Sequence, residues 1–191
     1  MRIFTKRFAA PVALALATTS LAACSDGAGA PETTDESNVD GTLADAVGDV
    51  DDLSTVASAL DDTGLDSVFD GPGAYTLFAP NDAAFAALGE EGSGLTSDEQ
   101  RPILVALLRN HVVPGHLTPE AIKQAIKDRG GDVDMRTLGD GTLTFADGAE
   151  GLVVSGGNGE QVQLAGTATA TSNGVLIPIG GLLESLPEPQ G

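Results

Sequence analysis

The stretch that most constrains the fold is "YTLFAPNDAAFAAL", residues 75–88, because its hydrophobic period changes halfway. Before Pro80 the apolar residues recur every second position, which is the period of a strand with a buried face. After Pro80 they recur three and four positions apart, as on a helix, and Asn81 or Asp82 can cap the first turn. The stretch therefore predicts a buried strand that leads directly into a capped helix.

The N-terminus has the layout of a secretory signal: three basic residues precede an apolar run over residues 8–21, which is too short for a membrane span. The next residues, "LAAC", end at the single cysteine of the chain and resemble the lipobox of bacterial lipoproteins. That resemblance implies a lipoprotein signal peptide over 1–23 and lipidation at Cys24. It also implies an exported protein that is lipid-anchored to the cell envelope, on the periplasmic face or at the cell surface. The alternative is an ordinary secretory signal in which Cys24 is incidental.

Residues 24–41 are predicted to form a flexible acidic tether, since Val39 is their one sizeable apolar residue after the cysteine. A tether of this length spans about 20 to 25 Å on average. Removal of residues 1–23 leaves six basic and 28 acidic residues, a formal charge of −22. A field of this sign repels nucleic acid, so no nucleic-acid partner is expected.

The remaining chain predicts one folded domain over 42–188, followed by a short tail over 189–191. Apolar residues with helical spacing precede Gly64, and Leu104, Leu107 and Leu108 share a helix face with His111. Another helix is predicted between a Thr118 cap and glycines at 130–131. Short alternating runs from residue 142 onward predict strands, of which the last contains Pro178 and is expected at an edge or a bulge. Helices followed by strands indicate an α+β fold.

Three segments in this order resemble the fasciclin domain: "GPGAYTLFAPNDAAFAAL", "LLRNHVVPG" and "TSNGVLIPIGGLL". The resemblance covers roughly residues 43–187. It implies a β-sandwich-like wedge of antiparallel strands with several packed helices. It also implies a use in adhesion and in contact with proteins or carbohydrates.

The resemblance assigns two groups of motif residues, with structural or binding roles. The first motif is matched by Thr76, Phe78, Pro80, Asp82 and Phe85, and Asp82 is interpreted as a carboxylate that fixes a helix terminus or loop. The second motif is matched by His111, which follows Asn110 where relatives usually have tyrosine. We expect His111 to be buried and hydrogen-bonded, with a place on a binding face as the alternative. In the third motif Ile177 and Gly180 replace a common histidine and aspartate, which puts receptor binding through this strand in doubt.

Catalytic and metal-binding patterns are absent from the sequence. The two histidines accompany no nucleophile elbow, and no spacing of ligands fits zinc. The acidic pairs in "DVDD" and "DVDM" place carboxylates two positions apart but do not fit a calcium loop, and a weak cation site at them stays open as the alternative. We therefore predict no enzyme, no catalytic residues, no metal site and no cofactor.

The sequence thus favours a non-enzymatic, lipid-anchored extracytoplasmic module for adhesion or interaction. Its expected partners are an envelope or extracellular protein or polysaccharide, and the membrane through Cys24. A carrier of a small apolar ligand or lipid is the alternative, and a factor for envelope stability is a third, weaker one. The first needs an exposed contact patch, whereas the carrier needs an internal apolar cavity.

Overall fold

The structure is a computed structural model, and it describes residues 41–89, 92, 94–95, 97, 99–149 and 151–184. The predicted signal peptide, the lipidation site Cys24, the tether up to residue 40 and the tail lie outside the described residues. In the described part of the chain, no helix is both long and apolar enough to cross a membrane.

The described helices lie mainly in the first half of the domain. They are α1 (Leu43–Gly48), α2 (Ser54–Thr63), α3 (Asp66–Phe69), α4 (Asp82–Ala86), α5 (Arg101–Asn110) and α6 (Pro119–Arg129), with a 3-10 turn at Asp51–Leu53. The described strands are β1 (Tyr75–Pro80), β2 (Val112–Pro114), β3 (Val133–Arg136), β4 (Thr142–Gly148), β5 (Gly151–Ser155), β6 (Gln161–Gln163), β7 (Thr169–Thr171) and β8 (Gly174–Ile179).

The predicted helix ends are present, and local chemistry explains them. Gly64 ends α2 in the left-handed conformation, with φ of 70°, and the Leu65 N–H donates to the Leu60 carbonyl. The Thr118 side chain caps α6, and Gly130 ends it at φ of 72°. The helix after Pro80 is also present, although it is only five residues long.

The strands form two four-stranded sheets, in the orders β2-β1-β8-β7 and β3-β4-β5-β6. All pairings inside the second sheet are antiparallel. In the first sheet β1 pairs in parallel with β8, with Thr76 opposite Val175, so the sheets are mostly rather than entirely antiparallel. The α+β fold is confirmed.

Strand β1 is buried on both faces, which explains its nearly continuous apolar sequence. Leu77 and Ala79 pack in the cluster that contains the helices α1, α2, α4 and α5. Phe78 packs in a second cluster that lies between the two sheets and includes residues of α6. The described buried residues of both clusters lie between Leu43 and Leu183, so a chain that starts at residue 25 keeps these core contacts.

The expectation that Pro178 lies at an edge or a bulge holds for one flank of β8 only. Strand β8 lies between β1 and β7 and is fully buried, and Pro178 is in register with Ala79. The Pro178 carbonyl accepts from the Ala165 N–H at 2.8 Å, on the side away from β1. Its missing N–H faces the same side, and β7 has already ended there. The proline therefore removes no hydrogen bond between β8 and β1.

Two strands were not predicted from the sequence, Val112–Pro114 and Val133–Arg136. They have three and four residues, which is too short for a period of two to be recognised. Tertiary pairing defines them instead: β2 pairs with β1, and β3 pairs with β4.

Candidate functional site

Two residues of the first motif hold β1 in place. The Thr76 side chain is fully buried, and its hydroxyl donates to the Gly115 carbonyl at 2.7 Å and accepts from the Leu117 N–H at 2.9 Å. The Phe78 ring lies 5.2 Å from the Phe145 ring, centroid to centroid, and so joins the two sheets. Both side chains are inaccessible to a partner.

Farther along this segment, Asn81 and Asp82 fix helix ends and Phe85 belongs to the core. Asn81 caps α4 by accepting from the Ala84 N–H, and Phe85 is buried in the helical cluster. The Asp82 carboxylate reaches the start of α2, where it accepts from the Ser54 hydroxyl at 2.6 Å and the Thr55 N–H at 2.8 Å. Desolvation raises the pKa of Asp82, but these hydrogen bonds outweigh it and hold that pKa below its ordinary value.

Pro80 completes the motif and is the last residue of β1. It is in register with Ile179 of β8 and is buried. Its position at the end of the strand is consistent with the predicted change of backbone conformation before α4.

His111 is buried at the C-terminal end of α5, with 1% of its surface exposed. Its Nε2 accepts from the Leu183 N–H at 3.0 Å, so Nδ1 carries the proton and donates to the Leu107 carbonyl at 2.8 Å. Burial lowers the pKa of His111 to about 4, although the Leu107 bond opposes this shift. The imidazole is neutral near pH 7 and joins α5 to the end of the domain.

Asn110 shapes the surface next to His111. Its side-chain oxygen accepts from the Gly141 N–H and the Thr137 hydroxyl, both at 3.2 Å, and so holds the loop at 137–141. Gly139 makes this approach possible, because a Cβ there would lie 2.0 Å from the Asn110 oxygen. The Asn110 side chain therefore positions the loop at 137–141.

The described residues contain no group of three or more His, Cys, Asp and Glu side chains placed to hold a metal ion. Asp134, in the second acidic pair, has a local role, because its carboxylate accepts from the Thr144 hydroxyl across β3 and β4.

An open apolar groove lies between α3 and the second half of α5, and we call it the α3–α5 groove. Its volume is about 270 Å³. Its apolar lining consists of Leu65, Val68, Phe69, Val105, Val112 and Leu138. Val68 is 40% exposed, the one large hydrophobic side chain in the described part of the chain that is exposed. Since the one exposed large hydrophobic side chain of the described residues borders this concave apolar surface, the groove is the candidate contact site.

A second depression adjoins the groove, and we call it the polar hollow. It has a volume of about 170 Å³ and shares Arg109 and Leu138 with the groove. Asn110 and Asp140 are among its other lining residues. The groove lining presents almost no polar surface although Arg109 borders it, so the methylene stem of Arg109 faces the groove.

Hydrogen bonds fix the walls of both depressions. The Leu138 N–H donates to the Val112 carbonyl at 2.8 Å, and the Gly139 N–H donates to the Arg109 carbonyl at 3.1 Å. On the opposite wall the Asn173 amide donates to the carbonyl of Phe69 and to that of Gly71. The groove is therefore a preformed feature of the folded domain.

Two layers of sheet with packed helices, a core that includes buried motif residues and an open apolar groove define a structural scaffold. The family model of the fasciclin domain matches residues 51–185. The chain belongs to the fasciclin domain family. Such domains are generally non-enzymatic modules for adhesion or interaction, and they are typically extracellular or secreted.

Comparisons with individual proteins found a shared fold and a partial match in sequence. A solved structure of a FAS1 domain pair from the insect cell adhesion molecule fasciclin I matches with a TM-score of 0.66 at 14% identity, over 75% of this chain and 51% of that chain. An uncharacterized protein of Synechocystis sp. is 40% identical over 66 residues, which is 35% of this chain and 49% of the relative. The chain thus spans about half the length of each.

Sequence reasoning identified the motif residues but not the groove. The structure brings Asn110 to the polar hollow, while the other motif residues support the core or helix ends. The available signal was "DSVFD", in which two large apolar residues are adjacent in a short polar segment, and the structure buries Phe69 but exposes Val68. Nothing in the spacing of the sequence indicated that Leu138 forms the facing wall.

Proposed function

We propose that this protein is a lipid-anchored extracytoplasmic module that contacts another protein through the α3–α5 groove. The observation that carries the proposal is the groove itself, with its apolar lining and exposed Val68 on an otherwise acidic domain. Membership of a family of adhesion and interaction modules supports it. A polysaccharide partner is less favoured, because the groove lining offers almost no hydrogen-bonding groups.

The anchoring part of the proposal depends on Cys24. The apolar run over 8–21 and the sequence "LAAC" support lipidation at this cysteine, which would hold the domain at the cell envelope through the tether. Labelling with radioactive palmitate tests it: the wild type should be labelled and Cys24→Ala should not. Equal labelling of both would refute the anchor without affecting the groove.

A carrier of a small apolar ligand or lipid is the alternative. Ligand pockets usually have volumes of about 300 to 1,000 Å³ and enclose most of the ligand. The groove, at about 270 Å³ and open to solvent, is smaller and shallower. It has room for one or two apolar side chains of a partner, which favours protein contact.

A retention experiment separates these functions. Residues 25–191 are immobilised and exposed to solubilised envelope, extracellular polysaccharide and lipid extract of the source organism, and the retained material is identified by mass spectrometry. We expect retained protein, and less of it on a Val68→Asp domain. Retention of lipid alone would support the carrier and refute the contact module.

A further inference from the structure

We propose that the α3–α5 groove binds a protein segment in which an apolar anchor side chain is flanked by basic residues. This inference rests on the proposed function and specifies the chemistry of its partner. The groove lining and the exposed Val68 favour an apolar anchor, because they lose water-exposed apolar surface when such a side chain enters.

The lining of the two depressions carries balanced charge. Asp140 lines the polar hollow, whereas the Asp70 carboxylate is engaged elsewhere, where it accepts from the Thr42 hydroxyl at 2.8 Å. Arg109 is the one basic residue among the lining residues of the two depressions, and its stem rather than its charge faces the groove. One carboxylate and one guanidinium in the lining leave the sign of the partner's charge to the domain as a whole.

The charge of the whole domain favours a cationic partner. Residues 41–184 contain 22 acidic and six basic residues. A field of this sign attracts basic segments over long range and speeds their association. It repels a second copy of the chain, an anionic lipid surface and an acidic polysaccharide, so these are disfavoured occupants.

Short peptides test this chemistry directly on residues 25–191. The probe is acetyl-Gly-Lys-Leu-Lys-Gly-amide, with Lys-Ser-Lys and Glu-Leu-Glu versions as controls for the anchor and the charge. Amide chemical shifts in ¹H–¹⁵N spectra report where each peptide binds. We expect saturable shifts at α3, at the end of α5 and at Leu138 with Lys-Leu-Lys, and much weaker ones with both controls. Equal shifts with Lys-Ser-Lys, or shifts confined to other surfaces, would overturn the proposal.

Two charge variants are expected to affect peptide binding differently. Asp140→Asn should weaken binding of the Lys-Leu-Lys peptide about two- to fivefold, the usual scale for one exposed ion pair. Arg109→Gln should leave binding unchanged or strengthen it within about the same factor. If Arg109→Gln instead weakened binding and Asp140→Asn did not, attraction of basic residues would not account for the binding and the proposal would be wrong.

Variants of the anchor site complete the test. Val68→Asp and the milder Val68→Ser should each weaken peptide binding, whereas Gln161→Glu, on the exposed edge strand β6, should not.

Sedimentation equilibrium checks for self-association, and a dimer that Val68→Ser abolishes would overturn the proposal in favour of a second copy. If the wild type and Val68→Ser domains retain envelope protein equally, the contact function stands and the groove proposal fails. If neither retains protein, the proposed function itself fails.

Discussion

His111 should make the stability of this domain depend on pH through a single buried group. The imidazole is neutral in the folded state, because its buried Nε2 accepts a hydrogen bond from the Leu183 N–H and cannot carry a proton while it does so. Its pKa of about 4 lies below the ordinary value of 6.5 that applies to the unfolded chain. The unfolded state therefore binds more protons as the pH falls below that ordinary value, and the folded state loses stability.

The size of this effect follows from the two pKa values. Each unit of difference corresponds to about 1.36 kcal/mol, and the loss continues until the pH falls below the folded-state pKa. Between about pH 7 and about pH 5 the contribution of His111 to the free energy of unfolding should fall by about 2 kcal/mol. The variant His111→Gln keeps an amide that can donate and accept but does not titrate, so it should lack this contribution.

Urea unfolding followed by circular dichroism measures the effect on residues 25–191. The free energy of unfolding is extrapolated to water for the wild type and for His111→Gln at both pH values. The many carboxylates titrate in both proteins and cancel in the difference between them, even if the variant is less stable throughout. Equal losses in the two proteins between the two pH values would refute the assignment of a neutral, hydrogen-bonded imidazole.

Three further substitutions test the local structure around the motifs. Asp82→Ala should lower the free energy of unfolding by about 1 kcal/mol, because α2 loses its N-terminal acceptor, and the loss should be non-additive with Ser54→Ala. Gly139→Ala should cost about 1 to 3 kcal/mol, since its Cβ would displace the Asn110 side chain, and Asn110→Ala in the same chain should recover part of it. Pro178→Ala should change stability by less than about 1 kcal/mol, because the proline blocks no bond to β1. Thermal or urea unfolding checks each one. A loss of several kcal/mol for Pro178→Ala would contradict the placement of the missing Pro178 N–H on the side of β8 that faces away from β1.

The helix ends could be predicted from the sequence because their signals are local. A glycine at Gly64 and a threonine at Thr118 act within a few residues, and the structure places both where the sequence predicts. The change of period at Pro80 likewise predicted β1 and α4. Burial of His111 was predicted from its spacing to the leucines of α5, and the structure adds its partner 72 residues away.

The features that the sequence did not predict depend on tertiary contacts. The parallel pairing of β1 with β8 joins segments about 100 residues apart, and no local pattern sets it. The position of Pro178 inside a sheet is tolerated only because β7 is short on that flank. The groove requires α3, the end of α5 and the loop of Leu138 together, and that loop is fixed by Asn110. Such a surface can be identified only from the folded structure.

The central claim is that the α3–α5 groove of an anchored fasciclin domain contacts a partner at the cell envelope. Its most direct test is the binding of labelled residues 25–191 to cells of the source organism that lack the native protein. The wild type and Gln161→Glu should bind saturably and with equal affinity, whereas Val68→Asp, with an unchanged unfolding transition, should bind at least tenfold more weakly, as expected for loss of a central anchor at about 1.4 kcal/mol or more. Equal binding of Val68→Asp and the wild type would contradict the account.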